Sequence, residues 1–368
     1  MFVSPYSEFV GEKVQIVTET LLEVKNLSVS FQIHGGEVQA VRGVSLTVHR
    51  GETLAIVGES GSGKSVTAQS LMRLTSGSVK SGEILFEGRD LLRLSKREML
   101  DVRGKDIAMI FQDPMTALNP TMTVGKQIVE MIQRHLHWSS SKAWKRAVEL
   151  LHLVGIPQPE VRAKQYPHMF SGGMRQRAVI AMAIAAEPKL LIADEPTTAL
   201  DVTIQAQILD LLNDLKKKFN MSMIFITHDL GVVARVADHV AVMYGGKVVE
   251  SGNVVSVFKH PKHPYTWGLL NARPHINQSV REPLLSIPGS PPDLFAPPKG
   301  CPFVTRCAYA MKICELEMPS LTPVGDHERL KDGAHQSACW LLDERAPKVD
   351  VPFIEGGDDK HERTVSQH

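Results

Sequence analysis

The octapeptide Gly58-Glu59-Ser60-Gly61-Ser62-Gly63-Lys64-Ser65 constrains this chain more than any other stretch. It has the form G-x-x-x-x-G-K-[ST] and stands between a short apolar run, Thr53-Leu54-Ala55-Ile56-Val57, and a helical stretch, Ser65 to Arg73. Strand, tight Gly-rich turn and helix in that order build a nest of backbone N–H groups at the positive end of a helix dipole, where phosphates bind. Gly58 and Ser60 to Val66 are thus the expected nucleotide-binding set. Within it, Lys64 reaches the β- and γ-phosphates and the Ser65 hydroxyl binds Mg2+.

A second apolar run, Leu190-Leu191-Ile192-Ala193, ends in Asp194-Glu195. Two acids at the end of a strand would equally cap the next helix; beside a phosphate-binding turn they read as a metal ligand, Asp194, and a general base for water, Glu195. Between these elements lie Phe111-Gln112-Asp113-Pro114, which opens a helical stretch, and Phe170-Ser171-Gly172-Gly173-Met174-Arg175-Gln176-Arg177. Ser171 suits a helix N-cap, and Gly172 and Gly173 leave N–H groups open to an anion, either as a second phosphate clamp or as a capped helix that binds nothing.

The coarse pattern supports an α/β fold. Strand-like runs appear at Leu21 to Val24, Leu27 to Phe31, Val38 to Val41, Val44 to Val48, Met223 to Ile226 and Val240 to Met243. Helical periodicity covers Val124 to His135, Lys142 to Leu153 and Thr203 to Lys218. Alternation of this kind implies a mostly parallel sheet covered on both faces, with the helical block set inside it as an insertion. The balance of 41 Lys+Arg against 40 Asp+Glu argues against bulk-charge binding of nucleic acid. The longest apolar run, Ala178 to Ala186, is too short to span a bilayer, and Met1 to Gly11 lacks the basic residues of a secretory signal, so the chain is expected on the cytoplasmic side.

Together these residues resemble the ATP-binding cassette (ABC) ATPases. Gly58 to Ser65 correspond to Walker A, Gln112 to the Q-loop, Ser171-Gly172-Gly173-Met174-Arg175 to the signature, Asp194-Glu195 to Walker B and the catalytic acid, Thr198-Ala199-Leu200-Asp201 to the D-loop, and Thr227-His228-Asp229 to the H-loop. Met174 and Thr198 depart mildly from the family's commoner residues. The resemblance implies a P-loop NTPase (RecA-like) core with an antiparallel β subdomain and a helical insertion. It also implies two cassettes facing head to tail, with ATP held between one Walker A and the other's signature. Ser171, Gly172, Gly173 and Asp201 would then serve the partner's nucleotide. Glu195 and His228 would carry hydrolysis, Gln112 would sense Mg2+ with Ser65 and Asp194, and Phe31 would stack on adenine.

A narrower resemblance rests on Phe111 to Pro120, Tyr166-Pro167-His168, His263-Pro264-Tyr265-Thr266 and Gly300-Cys301-Pro302-Phe303-Val304-Thr305-Arg306-Cys307, which look like the oligopeptide/dipeptide importer subfamily. It implies an ATPase energising import through two membrane permease subunits fed by an extracytoplasmic binding protein, with a second homologous cassette as partner and no nucleic acid. Nickel and metallophore importers share these motifs. A soluble cassette protein of DNA repair or translation fits less well, because no long coiled coil parts Walker A from the signature and the chain carries one cassette. Intact Glu195 and His228 argue against a non-hydrolysing subunit.

The expected layout is a leader over residues 1–20, an ATPase domain over 21–285 with its helical insertion at about 113–187, an extension over 286–342, and a disordered, acid-rich tail over 343–368. Pro-rich linker chemistry leads into the extension. It holds all four cysteines, Cys301, Cys307, Cys314 and Cys339, spaced C-x5-C, C-x6-C and C-x24-C. A tetrathiolate set suits Zn2+ or an iron–sulfur cluster, with unligated or disulfide-bonded cysteines as the remaining reading. The absence of C-x2-C knuckles favours the cluster, and the subfamily resemblance implies [4Fe–4S].

Overall fold

The computed structural model describes residues 19–198, 200–272, 287–324 and 334–351, with the side chains of 114 and 115 left aside. The strands are β1 (Thr20–Ile33), β2 (Gly36–His49), β3 (Thr53–Val57), β4 (Ser78–Phe86), β5 (Arg89–Asp90), β6 (Ile107–Ile110), β7 (Leu190–Asp194), β8 (Ser222–Thr227), β9 (His239–Tyr244), β10 (Lys247–Asn253), β11 (Thr322–Pro323) and β12 (Gln336–Ser337). They form a four-stranded sheet, β2-β1-β4-β5, and an eight-stranded sheet, β11-β12-β10-β9-β3-β8-β7-β6.

The centre of the larger sheet, β9-β3-β8-β7-β6, is parallel throughout. Every residue of β3, β7 and β8 is buried, which is why these strands read as unbroken apolar runs. One face packs on the antiparallel sheet and the helix Lys64–Leu71, with Ile56, Ile224 and Ile226 meeting Leu22, Val24 and Leu71. The other face carries the helical insertion and the helix Val202–Phe219, where Leu191, Met223 and Phe225 meet Ile180, Ile208 and Leu212.

The two expected runs Leu21 to Val24 and Leu27 to Phe31 are one strand. The register shifts between Val24 and Leu27, where Asn26 takes the left-handed conformation (φ 48°). Six strands were not expected from the sequence pattern: β4, whose Ser and Lys residues leave its start exposed, β6, only four residues long, β10, and the two-residue β5, β11 and β12; nor was the helix Pro264–Asn271. The expected leader lies outside the described residues up to 18, and the boundary at 285–286 is likewise outside them. Within the tail read as disordered, residues 343–351 are described: the Ala346 N–H donates to the Asp343 carbonyl, and Arg345 pairs with Asp343 at 2.8 Å. The remainder of that tail lies outside the described residues.

The C-terminal residues around His335 are tied to β10 through a polar knot. Glu250 of β10, fully buried, accepts the N–H groups of Lys262 and His263 and pairs with His335 Nε2 at 2.7 Å. His263 Nδ1 accepts the Tyr265 N–H at 3.1 Å, starting the helix Pro264–Asn271. Burial drives the His263 pKa down from 6.5 to about 4, against the raising effect of Glu250. Because this imidazole is neutral when folded, the unfolded chain takes up its proton first as pH falls. Stability is therefore lost between pH about 6.5 and about 4, by up to about 3 kcal/mol. Chemical denaturation of His263→Asn, which keeps an acceptor for Tyr265, should show a flatter pH dependence across that window; the wild-type slope in the variant contradicts this assignment.

Candidate nucleotide-binding site

Four parallel strands end along one edge, and each delivers a sequence-predicted residue at or just beyond its last position: β3 leads to Gly58, β6 to Gln112, β7 to Asp194 and Glu195, and β8 to His228. A parallel sheet places its functional loops on this side.

The turn after β3 closes under tight steric limits. Gly63 has φ 97° and a Cβ there would sit 2.4 Å from the Ala40 carbonyl oxygen, while one on Gly58 would sit 2.2 Å from that of Met243. Only glycine fits at both. Gly63 caps the helix Lys64–Leu71 with no side chain over its N–H groups, so the helix end presents bare donors beside the turn. Ser62 is buried, and Ser60 and Gly61 are exposed at the tip; Val66 packs partly against the core. Lys64 is buried, and its Nζ donates to the carbonyls of Gly58 and Glu59, both at 2.8 Å. Burial lowers its pKa from the ordinary lysine value, against the charges of Glu195, Asp194 and Glu59.

Ser65 Oγ donates to Asp194 Oδ1 at 2.9 Å, joining the two motifs. Burial raises the Asp194 pKa, with Glu195 adding to the rise and Ser65 and Lys64 opposing it. A hydroxyl and a buried carboxylate set together this way offer two oxygen ligands to a hard cation. Next in the chain, Glu195 is held in the left-handed region (φ 46°). Its Oε2 accepts from Gln112 Nε2 at 3.0 Å and from Thr198 Oγ1 at 2.9 Å, and its Oε1 stands 3.5 Å from His228 Nδ1. Gln112, Glu195 and His228 are therefore brought to one point. Thr198, which holds the carboxylate from three residues on, is named by the sequence only as the opening residue of the D-loop, and its bond to Glu195 is what the structure adds.

Other expected residues lie apart. Ser171 caps the helix Gly172–Ala183, its Oγ accepting the Met174 N–H at 3.3 Å, and nothing stands within 4 Å of where a Gly172 Cβ would be. Gly173 faces Ile204 of the helix Val202–Phe219, and Asp201 starts that helix without capping it through its side chain. Among the described residues no hydrogen bond or ion pair joins Ser171, Gly172, Gly173 or Asp201 to the Gly58–Ser65 turn. Phe31 is half-buried and lies toward Gly77.

The four cysteines do converge. Cys301, Cys307, Cys314 and Cys339 line one apolar cavity of ≈ 20 Å³ and are all unpaired. Burial pushes the Cys301 thiol up to about 11 and the Cys339 thiol up to about 12, and raises Cys307 as well. Among the described residues no group of three or more His, Cys, Asp or Glu side chains is set to hold a metal ion.

Comparison with known proteins agrees with this geometry. Residues 41–198 match the family described as ABC transporter, and 249–314 match the oligopeptide/dipeptide transporter C-terminal region. The chain belongs to the ABC transporter ATP-binding proteins and is an ABC ATPase, for which ATP and Mg2+ are the expected ligands. It is 62% identical over 335 residues to the oligopeptide transport ATP-binding protein OppD of Bacillus subtilis (strain 168), covering 90% of this chain and 92% of that one. It is 56% identical to the dipeptide transport ATP-binding protein DppD of the same organism, covering 89% and 96%. A solved dimer of the ATP-binding cassette MJ0796 in a post-hydrolysis state with ADP and Pi superposes with a TM-score of 0.58 at 28% identity, covering 64% of this chain and 99% of that one. No helix among the described residues is long and apolar enough to cross a membrane.

Proposed function

We propose that this chain is the ATP-hydrolysing subunit of a peptide importer, bound to the cytoplasmic face of a membrane. The observation that carries the proposal is the meeting of Gln112 and His228 on Glu195, one residue from the Ser65–Asp194 contact. The peptide cargo rests on the match of residues 249–314 and on the names of the relatives.

Lys64 and the N–H groups of the Gly58–Ser65 turn bind the phosphates, and Phe31 stacks on adenine. Ser65 and Asp194, with Gln112, hold Mg2+, which neutralises charge developing on the phosphoryl oxygens. Glu195 takes a proton from the attacking water as general base, and His228 orients that water and contacts the γ-phosphate. Gln112 and Thr198 keep the Glu195 carboxylate in place. Ser171, Gly172, Gly173 and Asp201, remote from the turn, serve the nucleotide of a second homologous cassette. Two permease subunits receive the motion through the helical insertion, and an extracytoplasmic binding protein supplies the peptide. In this division residues 21–285 form the cassette and 286–342 the extension.

For the extension, the finer reading is a [4Fe–4S] cluster on Cys301, Cys307, Cys314 and Cys339, with Zn2+ as the alternative; its support is that all four share one cavity and none is in a disulfide. Anaerobically purified protein should then absorb in the visible blue and lose that absorbance in Cys307→Ser. Metal-free protein of full stability sinks this reading.

Glu195→Gln should bind Mg-ATP with wild-type affinity and hydrolyse it at least about 100-fold more slowly, because general-base catalysis contributes roughly 100- to 10,000-fold. Isothermal titration and steady-state turnover of the assembled transporter check both halves. Turnover within a fewfold of wild type removes Glu195 from its role.

A further inference from the structure

The phosphate-binding turn is held from outside the cassette. Glu59, its second residue, receives a planar fork from Arg306, which the sequence places 247 positions away, next to Cys307: Arg306 Nη1 to Glu59 Oε2 at 2.7 Å and Nη2 to Oε1 at 3.1 Å. The other donors of the guanidinium are also used. Nε donates to the Pro288 carbonyl at 2.8 Å, Nη2 to that of Ile287 at 3.0 Å and Nη1 to Tyr244 Oη at 3.1 Å. All five N–H donors of the group thus have acceptors, in the fixed geometry that only arginine offers.

Glu59 is gripped elsewhere too. Its backbone N–H donates to Tyr265 Oη at 2.8 Å, and its carbonyl accepts from Lys64 Nζ. Tyr265, Tyr244 and Phe303 pack ring on ring, with centroids 4.5 to 5.4 Å apart, directly beneath this contact. The Arg306 side chain is 4% exposed, so solvent screens the pair little. Burial weighs against the Arg306 charge, but the hydrogen bonds to Glu59 and Tyr244 outweigh it and hold its pKa above the ordinary value.

We propose that Arg306, carried by the cysteine-bearing extension, is a positioning residue of the ATP site, which sets nucleotide affinity by fixing Glu59 and through it the phosphate-binding turn. This rests on the nucleotide reading of that turn. A turn whose N–H groups must converge on phosphates binds best when its backbone is already in place, because no ordering cost is then met on binding. Arg306 fixes one end of the turn, and the same Glu59 carries the carbonyl on which Lys64 lies. The extension is therefore part of the machinery that prepares the site, and loosening it weakens ATP binding without touching the groups that carry out hydrolysis.

The test is Mg-ATP titration of the full chain carrying Arg306→Met, Glu59→Ala or both, with Lys64→Ala as control and the melting temperature of each recorded. Positioning predicts that both single variants weaken Mg-ATP binding by about tenfold, the worth of one charge-assisted hydrogen bond. The double variant should be no worse than either single one, since both cut the same link. In the assembled transporter KM for ATP should rise by a similar factor while kcat changes less than about twofold. A purely electrostatic role gives opposite signs, with Arg306→Met weakening and Glu59→Ala strengthening binding, and overturns the proposal. A plain staple lowers the melting temperature at unchanged affinity and also overturns it. Should Arg306→Met not fold, Glu59→Ala, whose change lies within the cassette, decides alone. If wild type and Lys64→Ala bind Mg-ATP equally, the nucleotide reading itself has failed, a result distinct from either.

Discussion

The hydrogen bond from Ser65 Oγ to Asp194 Oδ1 is the contact on which the site depends. Asp194 ends β7, and Ser65 lies in the first turn of the helix Lys64–Leu71 that follows β3; β3 and β7 are not neighbours, because β8 lies between them, paired to both in parallel. The register of three fully buried strands thus decides whether a hydroxyl from one motif meets a carboxylate from the other. A buried carboxylate costs free energy unless its oxygens find donors or a cation. Here Ser65 supplies a donor and Lys64 a nearby positive charge, and the oxygens stay directed at the place where a metal–nucleotide complex belongs.

One residue further, the same strand end turns into catalytic geometry. Glu195 adopts a left-handed backbone that a non-glycine residue takes only when its surroundings impose it. Those surroundings are its N–H bond to the Ile226 carbonyl of β8 and the hydrogen bonds from Gln112 and Thr198 to its carboxylate. The turn redirects the side chain from the sheet toward Gln112 and His228, so that residues from β6, β7 and β8 act at one point. The Ser171–Gly173 segment, by contrast, caps a helix of the insertion and has no bond to the phosphate-binding turn among the described residues. The proposed composite site, half on each of two chains, accounts for both facts.

Much of this was legible in the sequence because Gly58, Asp194, Glu195 and His228 lie at or just past the ends of strands buried on both faces, and such strands are written as unbroken apolar text. Thr53 to Val57, Leu190 to Ala193 and Met223 to Ile226 could be read for that reason. Ile107–Ile110 could not, since four residues give too little pattern, and β4 could not because its polar start and the left-handed Gly82 break the alternation. Asn26 hid the unity of β1 in the same way. Pairings between distant segments were invisible altogether. Nothing local tells that Arg306 serves Glu59; its neighbours Cys301 and Cys307 drew it into the reading of the extension alone. Cysteine clustering foretold that the four residues gather, and they line one cavity.

The central claim is that Ser65 and Asp194 act as one cation-binding unit although one lies on a helix and the other at the end of a strand. Electron paramagnetic resonance of Mn2+ replacing Mg2+ in the ATP complex measures this directly. The account predicts one bound Mn2+ per chain in the wild type, with affinity lowered to a similar degree by Ser65→Ala and by Asp194→Asn, and lowered no further when the two are combined. Full Mn2+ binding in either single variant, or losses that simply add, would contradict it.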